Sequence, residues 1–239
     1  MSRATPTPDP TTGSALGNAL PDYLVTPTGT LFTTGRDETD GGLPLVRSVA
    51  IGPAGVVRLR GLVHGAGLDE HETTPADAAD AKPADPVAVE VGYRHPSGRL
   101  VSTRSSLSDA GVAALLAAVA RPSTLGARTG AARVRPAVLR LYGVTGASAD
   151  APRSAADIGR WRVLSATLAS TSLRCVAVRG GDAQRLRAEL ARLAAHRDSN
   201  VLIDDRGIAS AWMQSGNVIV RLGVRVVLPG EPDCPAMAR

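Results

Sequence analysis

Residues 173–203 read LRCVAVRGGDAQRLRAELARLAAHRDSNVLI. Leu173–Val178 is a short apolar run rich in valine, and Val201–Ile203 is a second one. Between them Leu186, Leu190 and Leu193 recur at the 3.6-residue period, which predicts an amphipathic helix with these leucines inward. Arg185, Arg187, Glu189 and Arg192 then point outward, and Asp182 caps the N-terminus. Strand, helix and strand in this order predict a crossover connection with locally parallel pairing.

Upstream of this unit, Ala137–Val144 is another apolar run. Ser154-Ala155-Ala156-Asp157 has the form of a capping box: the serine oxygen can accept from the Asp157 N–H while the aspartate reaches back. It predicts a second helix with Ile158, Trp161, Leu164 and Leu168 on its inner face. A further helix is predicted where Val112, Leu115, Leu116 and Val119 fall at i, i+3, i+4, i+7 behind Ser108, ending at Pro122. Downstream, Asp204-Asp205-Arg206-Gly207 turns the chain into Ile208–Met213, and Val218–Leu228 closes a meander with Val218, Val220, Leu222, Val224, Val226 and Leu228 on one face. The fold class expected is α/β to α+β: a mixed β-sheet with about three helices.

A β-hairpin-rich section precedes it. In residues 21–64, Tyr23–Thr26 and Thr30–Thr33 flank Pro27-Thr28-Gly29, a turn in which proline presets φ and glycine supplies a positive one. Ser48–Ile51 and Val56–Val63 flank Gly52-Pro53-Ala54-Gly55 in the same way and read as two more strands. Val87, Val89, Val91 and Tyr93 alternate with smaller or polar residues, and a second strand follows the His95-Pro96-Ser97-Gly98 turn. Residues 1–20 lack periodicity and read as a disordered segment. Residues 65–86 carry Asp69, Glu70, Glu72, Asp77, Asp80 and Asp85 among Ala, Thr and Pro, and read as an acidic linker or loop. The α/β domain is then 87–230, with a tail over 231–239.

Aromatic residues make up only 3% of the chain, so the core must come from aliphatic side chains. No apolar run reaches the roughly 20 residues of a membrane helix, and no leader pattern is present, so no membrane contact and a cytoplasmic location are expected. Two cysteines do not make a secreted framework. Cys175 reads as a small buried hydrophobe, with a Cys175–Cys234 disulfide as the alternative.

Catalytic motifs are few. The only lysine, Lys82, stands in the acidic segment, which rules out a phosphate-binding P-loop. Gly-x-Ser-x-Gly is absent. His64-Gly65-Ala66-Gly67 lacks the third glycine of a dinucleotide loop, so no cofactor is expected. His64, Asp69, His71 and Glu72 lack metal-ligand spacing on a helix face, so no metal is expected. Val178-Arg179-Gly180-Gly181-Asp182 joins a strand to a helix and reads as a tight turn, Asp182 opposing any anion there. Asp204 and Asp205 end a strand where open α/β sheets place ligand-binding groups.

Charge is the remaining signal. Residues 1–86 carry 6 basic and 11 acidic side chains, and residues 87–239 carry 21 and 11. Arg133, Arg135 and Arg140 lie near one strand, while Arg160 and Arg162 lie on the second expected helix. Arg179, Arg185, Arg187, Arg192 and Arg197 lie on or beside the third. The leading expectation is a non-catalytic binding or assembly module, as a homo-oligomer or with an acidic protein partner. The alternative is a sequence-tolerant nucleic-acid binder using the C-terminal arginines. A hydrolase or transferase at Asp204 and Asp205 comes third. The candidate binding residues are Arg179, Arg185, Arg187, Arg192, Asp204 and Asp205.

Overall fold

A computed structural model of the chain describes residues 20–68, 88–94, 100–106, 109–144, 156–157, 175–195, 201–203, 207–215, 218–231 and 233–234. The Pro27-Thr28-Gly29 turn joins β1 (Tyr23–Val25) to β2 (Thr30–Asp40), which pair antiparallel with Val25 opposite Leu31. The Gly29 N–H donates to the Thr26 carbonyl at 3.0 Å, closing the predicted hairpin. β3 (Leu43–Ala50) pairs with β2, and β6 (Ala132–Val134) adds to β3, so the strand order is β1-β2-β3-β6. Neighbouring residues on a strand face opposite sides. Leu31 and Phe32 accordingly enter two separate cores.

The Leu31 core is closed by helices. The strand expected over Val56–Val63 is instead part of α1 (Gly52–Gly65). Pro53 stands in its first turn, where the missing N–H forfeits no helical bond and the fixed φ suits the backbone. The governing period is 3.6: Leu59, Leu62, Val63 and Ala66 all pack into this core. Leu68 is buried there as well, just inside the segment read as a linker. α2 (Ala110–Ala120) buries Val112, Leu115 and Val119, as its periodicity predicts, and a 3-10 turn (Pro122–Leu125) follows. Its cap is Asp109, whose carboxylate accepts from the Gly111 N–H at 2.7 Å and the Val112 N–H at 3.3 Å; Ser108 lies outside the described residues. Asp109→Ala should cost about 1 kcal/mol in urea unfolding. A loss below about 0.3 kcal/mol would show that the cap contributes nothing to the helix.

The second sheet has the order β10-β11-β12-β7-β9, from Leu202–Ile203, Ala209–Ser215, Val218–Val227, Val138–Val144 and Cys175–Val178. These five pair antiparallel, and β8 (Ala156–Asp157) adds one parallel pairing with β11, so the sheet is mixed. Two expectations are corrected here. First, β7 and β9 are antiparallel neighbours. α3 (Gly180–Ala194) joins β9 to β10, and these occupy opposite edges of the sheet, so the helix crosses the sheet instead of linking adjacent strands. Second, Asp157 is not a first-turn helix residue. It stands opposite Gln214 of β11 in an edge pairing that engages its backbone; Ser154 and residues 158–174 lie outside the described residues.

α3 begins two residues before Asp182. Gly180 takes a φ of 57°, which an L side chain rarely adopts, and lets extended Arg179 act as the N-cap. Asp182 sits within the first turn, where its charge complements the helix dipole. Leu186, Leu190 and Leu193 face inward as predicted and pack against Leu139, Leu141, Leu222, Val224 and Val226. Phe32, Leu43 and Val46 of the first sheet join this second core. A separate hairpin pairs β4 (Ala88–Arg94) with β5 (Leu100–Ser106), the two strands predicted there; its turn lies outside the described residues. The architecture is α+β, with β-hairpins in the N-terminal section. Among the described residues no helix is long and apolar enough to cross a membrane.

Candidate functional site: two arginine clusters

The first cluster is built around Asp40, the last residue of β2. Gly41 and Gly42 turn the chain with φ of 61° and 78°, and a Cβ on Gly42 would lie 3.2 Å from both Ala194 Cβ and the Leu190 carbonyl. The turn therefore rests on the C-terminal half of α3. Arg133 of β6 donates from Nη2 to Asp40 Oδ1 at 2.7 Å. Arg135 grips the same carboxylate with both prongs, Nε to Oδ2 at 2.7 Å and Nη2 to Oδ1 at 3.1 Å. Arg187 of α3 donates to the Pro136 carbonyl and adds its field to Asp40. It is half-buried, contrary to the outward position predicted for it, because the turn at Gly41 and Gly42 and residue 136 close over that side of the helix.

The electrostatics follow from this crowding. The Arg135 hydrogen bond, with the charges of Arg135, Arg133 and Arg187, holds the Asp40 carboxyl below its ordinary value despite partial burial. Burial lowers the Arg187 guanidinium, Asp40 opposes that, and Arg135 reinforces it. The sign for stability is set by Asp40. Its folded pKa lies below the ordinary 3.8, so the unfolded chain binds more protons in the window between the two. The stabilisation is complete above about pH 5 and is lost as pH falls through the folded value. Asp40→Asn should remove up to about 1 kcal/mol at neutral pH, since its arginine partners are exposed, and should flatten the acid limb of the stability curve. Superimposable acid unfolding profiles would show that the cluster contributes no stability.

The second cluster lies on the other sheet. Leu139 and Leu141 of β7 face the core, so Arg140 faces away; Arg225 of β12 is its direct cross-strand neighbour. Arg140 is therefore not grouped with Arg133 and Arg135, which lie on or beside β6 of the first sheet. Despite their direction, Arg140 is 1% exposed and Arg225 0%. The cover includes the chain after β12. Arg225 Nη2 donates to Glu231 Oε1 at 2.6 Å, and the Leu228 N–H donates to Glu231 Oε2 at 2.7 Å. Arg140 Nε donates to the Asp233 carbonyl at 2.8 Å, and Arg179 pairs with the Asp233 carboxylate. Cys175 and Cys234 form a disulfide with Cα atoms 5.7 Å apart. The reading of Cys175 as a buried free thiol is thus corrected: alternation on β9 turns it to the Arg140 face, where residue 234 meets it.

Of the residues singled out from the sequence, Arg187 joins the Asp40 cluster and Arg179 the tail cluster. Arg185 and Arg192 engage carboxylates of their own helix, Asp182 at 3.7 Å and Glu189 at 2.9 Å. Asp204 and Asp205 lie outside the described residues, as do Asp69, His71 and Glu72. Asp40, Glu231 and Asp233 were missed. Asp40 had a signal in the Asp-Gly-Gly turn, but nothing local ties it to Arg135, 95 residues away.

An open groove of 520 Å³ separates α1 from α2, with Arg58, Arg121 and Thr124 at its polar points and Leu62 and Leu125 among its apolar ones. Its lining holds no histidine, cysteine or carboxylate to serve as a base. The chain matches no family model, no curated protein and no solved structure.

Proposed function

We propose that this chain is a non-catalytic binding module that docks an acidic protein surface on the arginines around Asp40. The observation that carries the reading is the pairing of Arg133 and Arg135 with the one Asp40 carboxylate, with Arg187 near enough to add its field, which leaves two positive charges in excess among the described residues. Along the neighbouring α3 face, arginines alternate with Asp182 and Glu189. Such interleaving suits a protein surface of mixed charge better than a continuous row of phosphates. Single-stranded nucleic acid would also call for stacking aromatics. Among the residues whose side chains are described, the aromatic ones are Phe32, which is buried, and Tyr23, which lies on β1 at the sheet edge opposite β6.

The test is a titration of a labelled polyglutamate peptide and a labelled single-stranded oligonucleotide over one salt series. The peptide should bind more tightly at physiological salt. Replacing Arg133 and Arg135 together by Ala should weaken it about ten-fold, as expected for two exposed charges at up to about 1 kcal/mol each. Preferential oligonucleotide binding, with a log–log salt slope of about −0.7 per phosphate contact, would replace this reading with the nucleic-acid one.

A further inference from the structure

The tail cluster has a different chemistry from the Asp40 surface and does not depend on the function proposed above. Arg140 and Arg225 are directly opposed on adjacent strands, an arrangement that like charges disfavour. Both guanidinium groups are also removed from water, which demands anions close by. The segment after β12 supplies them. One Glu231 carboxylate is held by a guanidinium on one oxygen and a backbone N–H on the other. This is how oxyanions are held, by fixed donors of which at least one is charged. Asp233 offers its carboxylate to Arg179 and its carbonyl to Arg140. Among the described residues, three arginines thus face two carboxylates of the protein's own chain.

What keeps these groups in place is partly covalent. The segment from Pro229 runs from the end of β12 to Cys234, whose disulfide partner is 59 residues away in sequence. The Arg179–Asp233 pair is open to solvent, with side chains 59% and 44% exposed. We propose that Glu231 and Asp233 act as an internal ligand of an anion site formed by Arg140, Arg179, Arg225 and the Leu228 N–H, and that reduction of Cys175–Cys234 opens this site to a phosphate dianion. The reductant is a dithiol. One of its thiolates attacks a sulfur of the pair and displaces the other as a thiolate. Its second thiol then resolves the mixed disulfide, leaving the reductant oxidised and Cys175 and Cys234 as two thiols. Two electrons and two protons pass from the dithiol to the protein. Glu231 and Asp233 can then leave, and a phosphate with two negative charges takes the place of their two carboxylates.

The apparent affinity of an occluded site scales with the fraction of molecules in which it is open. If about one molecule in ten or fewer is open when oxidised, reduction should tighten binding at least about ten-fold. The experiment measures inorganic phosphate binding by calorimetry on the oxidised full-length chain, on the dithiol-reduced chain, and on a variant with Cys175→Ser and Cys234→Ser. Carboxypeptidase trimming reports strap release, and near-UV circular dichroism reports the fold. The reduced chain and the double variant should keep their spectrum, be trimmed past residue 234, and bind phosphate at least about ten-fold tighter than the oxidised chain. Arg179→Gln, at the exposed member of the site, should erase most of that gain. Equal affinity in both redox states overturns the proposal, and so does release of the strap without phosphate binding. Loss of the near-UV spectrum on reduction would make the strap a structural staple and also overturns it.

Discussion

Glu231→Ala is expected to destabilise the disulfide-bonded protein by about 3–5 kcal/mol, the cost of removing one partner from a buried ion pair. Its carboxylate serves Arg225, which is 0% exposed, and the Leu228 N–H at the end of β12. Truncation removes that anion while the disulfide still holds the strap over the guanidinium, so water has little access to take its place. The penalty therefore depends on closure. In a Cys175→Ser, Cys234→Ser background the strap can lift and hydrate Arg225, and the same substitution should cost only about 1 kcal/mol, as for an exposed pair. The difference is a coupling energy of about 2 kcal/mol or more, readable from a double-mutant cycle in urea. A cost below about 1 kcal/mol in the oxidised protein would show that Glu231 is not the anion that sustains Arg225.

Removing the disulfide should cost about 4 kcal/mol, from the loop-closure entropy of a crosslink spanning 59 residues. In a domain of this size each kcal/mol moves Tm by roughly 2–4 °C, so the paired serine variant should melt roughly 8–16 °C lower. Wild-type protein melted under reducing conditions should match it. A variant that melts with the oxidised wild type would mean that the crosslink does not restrain the unfolded chain. This loss and the opening of the strap are compatible, because a stability of about 5–15 kcal/mol leaves a folded reduced state.

Local pattern made the periodic elements legible. The Leu186-Leu190-Leu193 face of α3 and the Leu222-Val224-Val226-Leu228 face ending the second sheet are buried as their spacing predicts. Pro27 and Gly29 do form the first hairpin. The Gly52-Pro53 pair misled for a specific reason: proline suits both a turn and the first turn of a helix, and the valines that follow suit a strand as well as a helix. Leu59, Leu62, Val63 and Ala66 were the better guide, since only a helix brings all four to one side.

The clusters were less legible because they are products of distant pairing. Arg140 between Leu139 and Leu141 has the alternation of a half-exposed strand, and that alternation is correct: the arginine does leave the core face. Its burial depends on a segment more than 90 residues later, starting with the Asp233 carbonyl on its Nε. Arg187 likewise avoids the leucine face of α3, yet the chain near Asp40 and Pro136 covers it. Helical period tells which way a side chain leaves the helix but not what the rest of the chain lays over it.

Hydrogen–deuterium exchange, with and without the polyglutamate peptide, tests most directly where an acidic partner docks. The proposed surface predicts slower exchange in residues 39–42, 132–136 and the outer face of α3, with the effect lost when Arg133 and Arg135 are replaced by Ala. Protection confined to other segments, or no protection at a saturating peptide concentration, would contradict it.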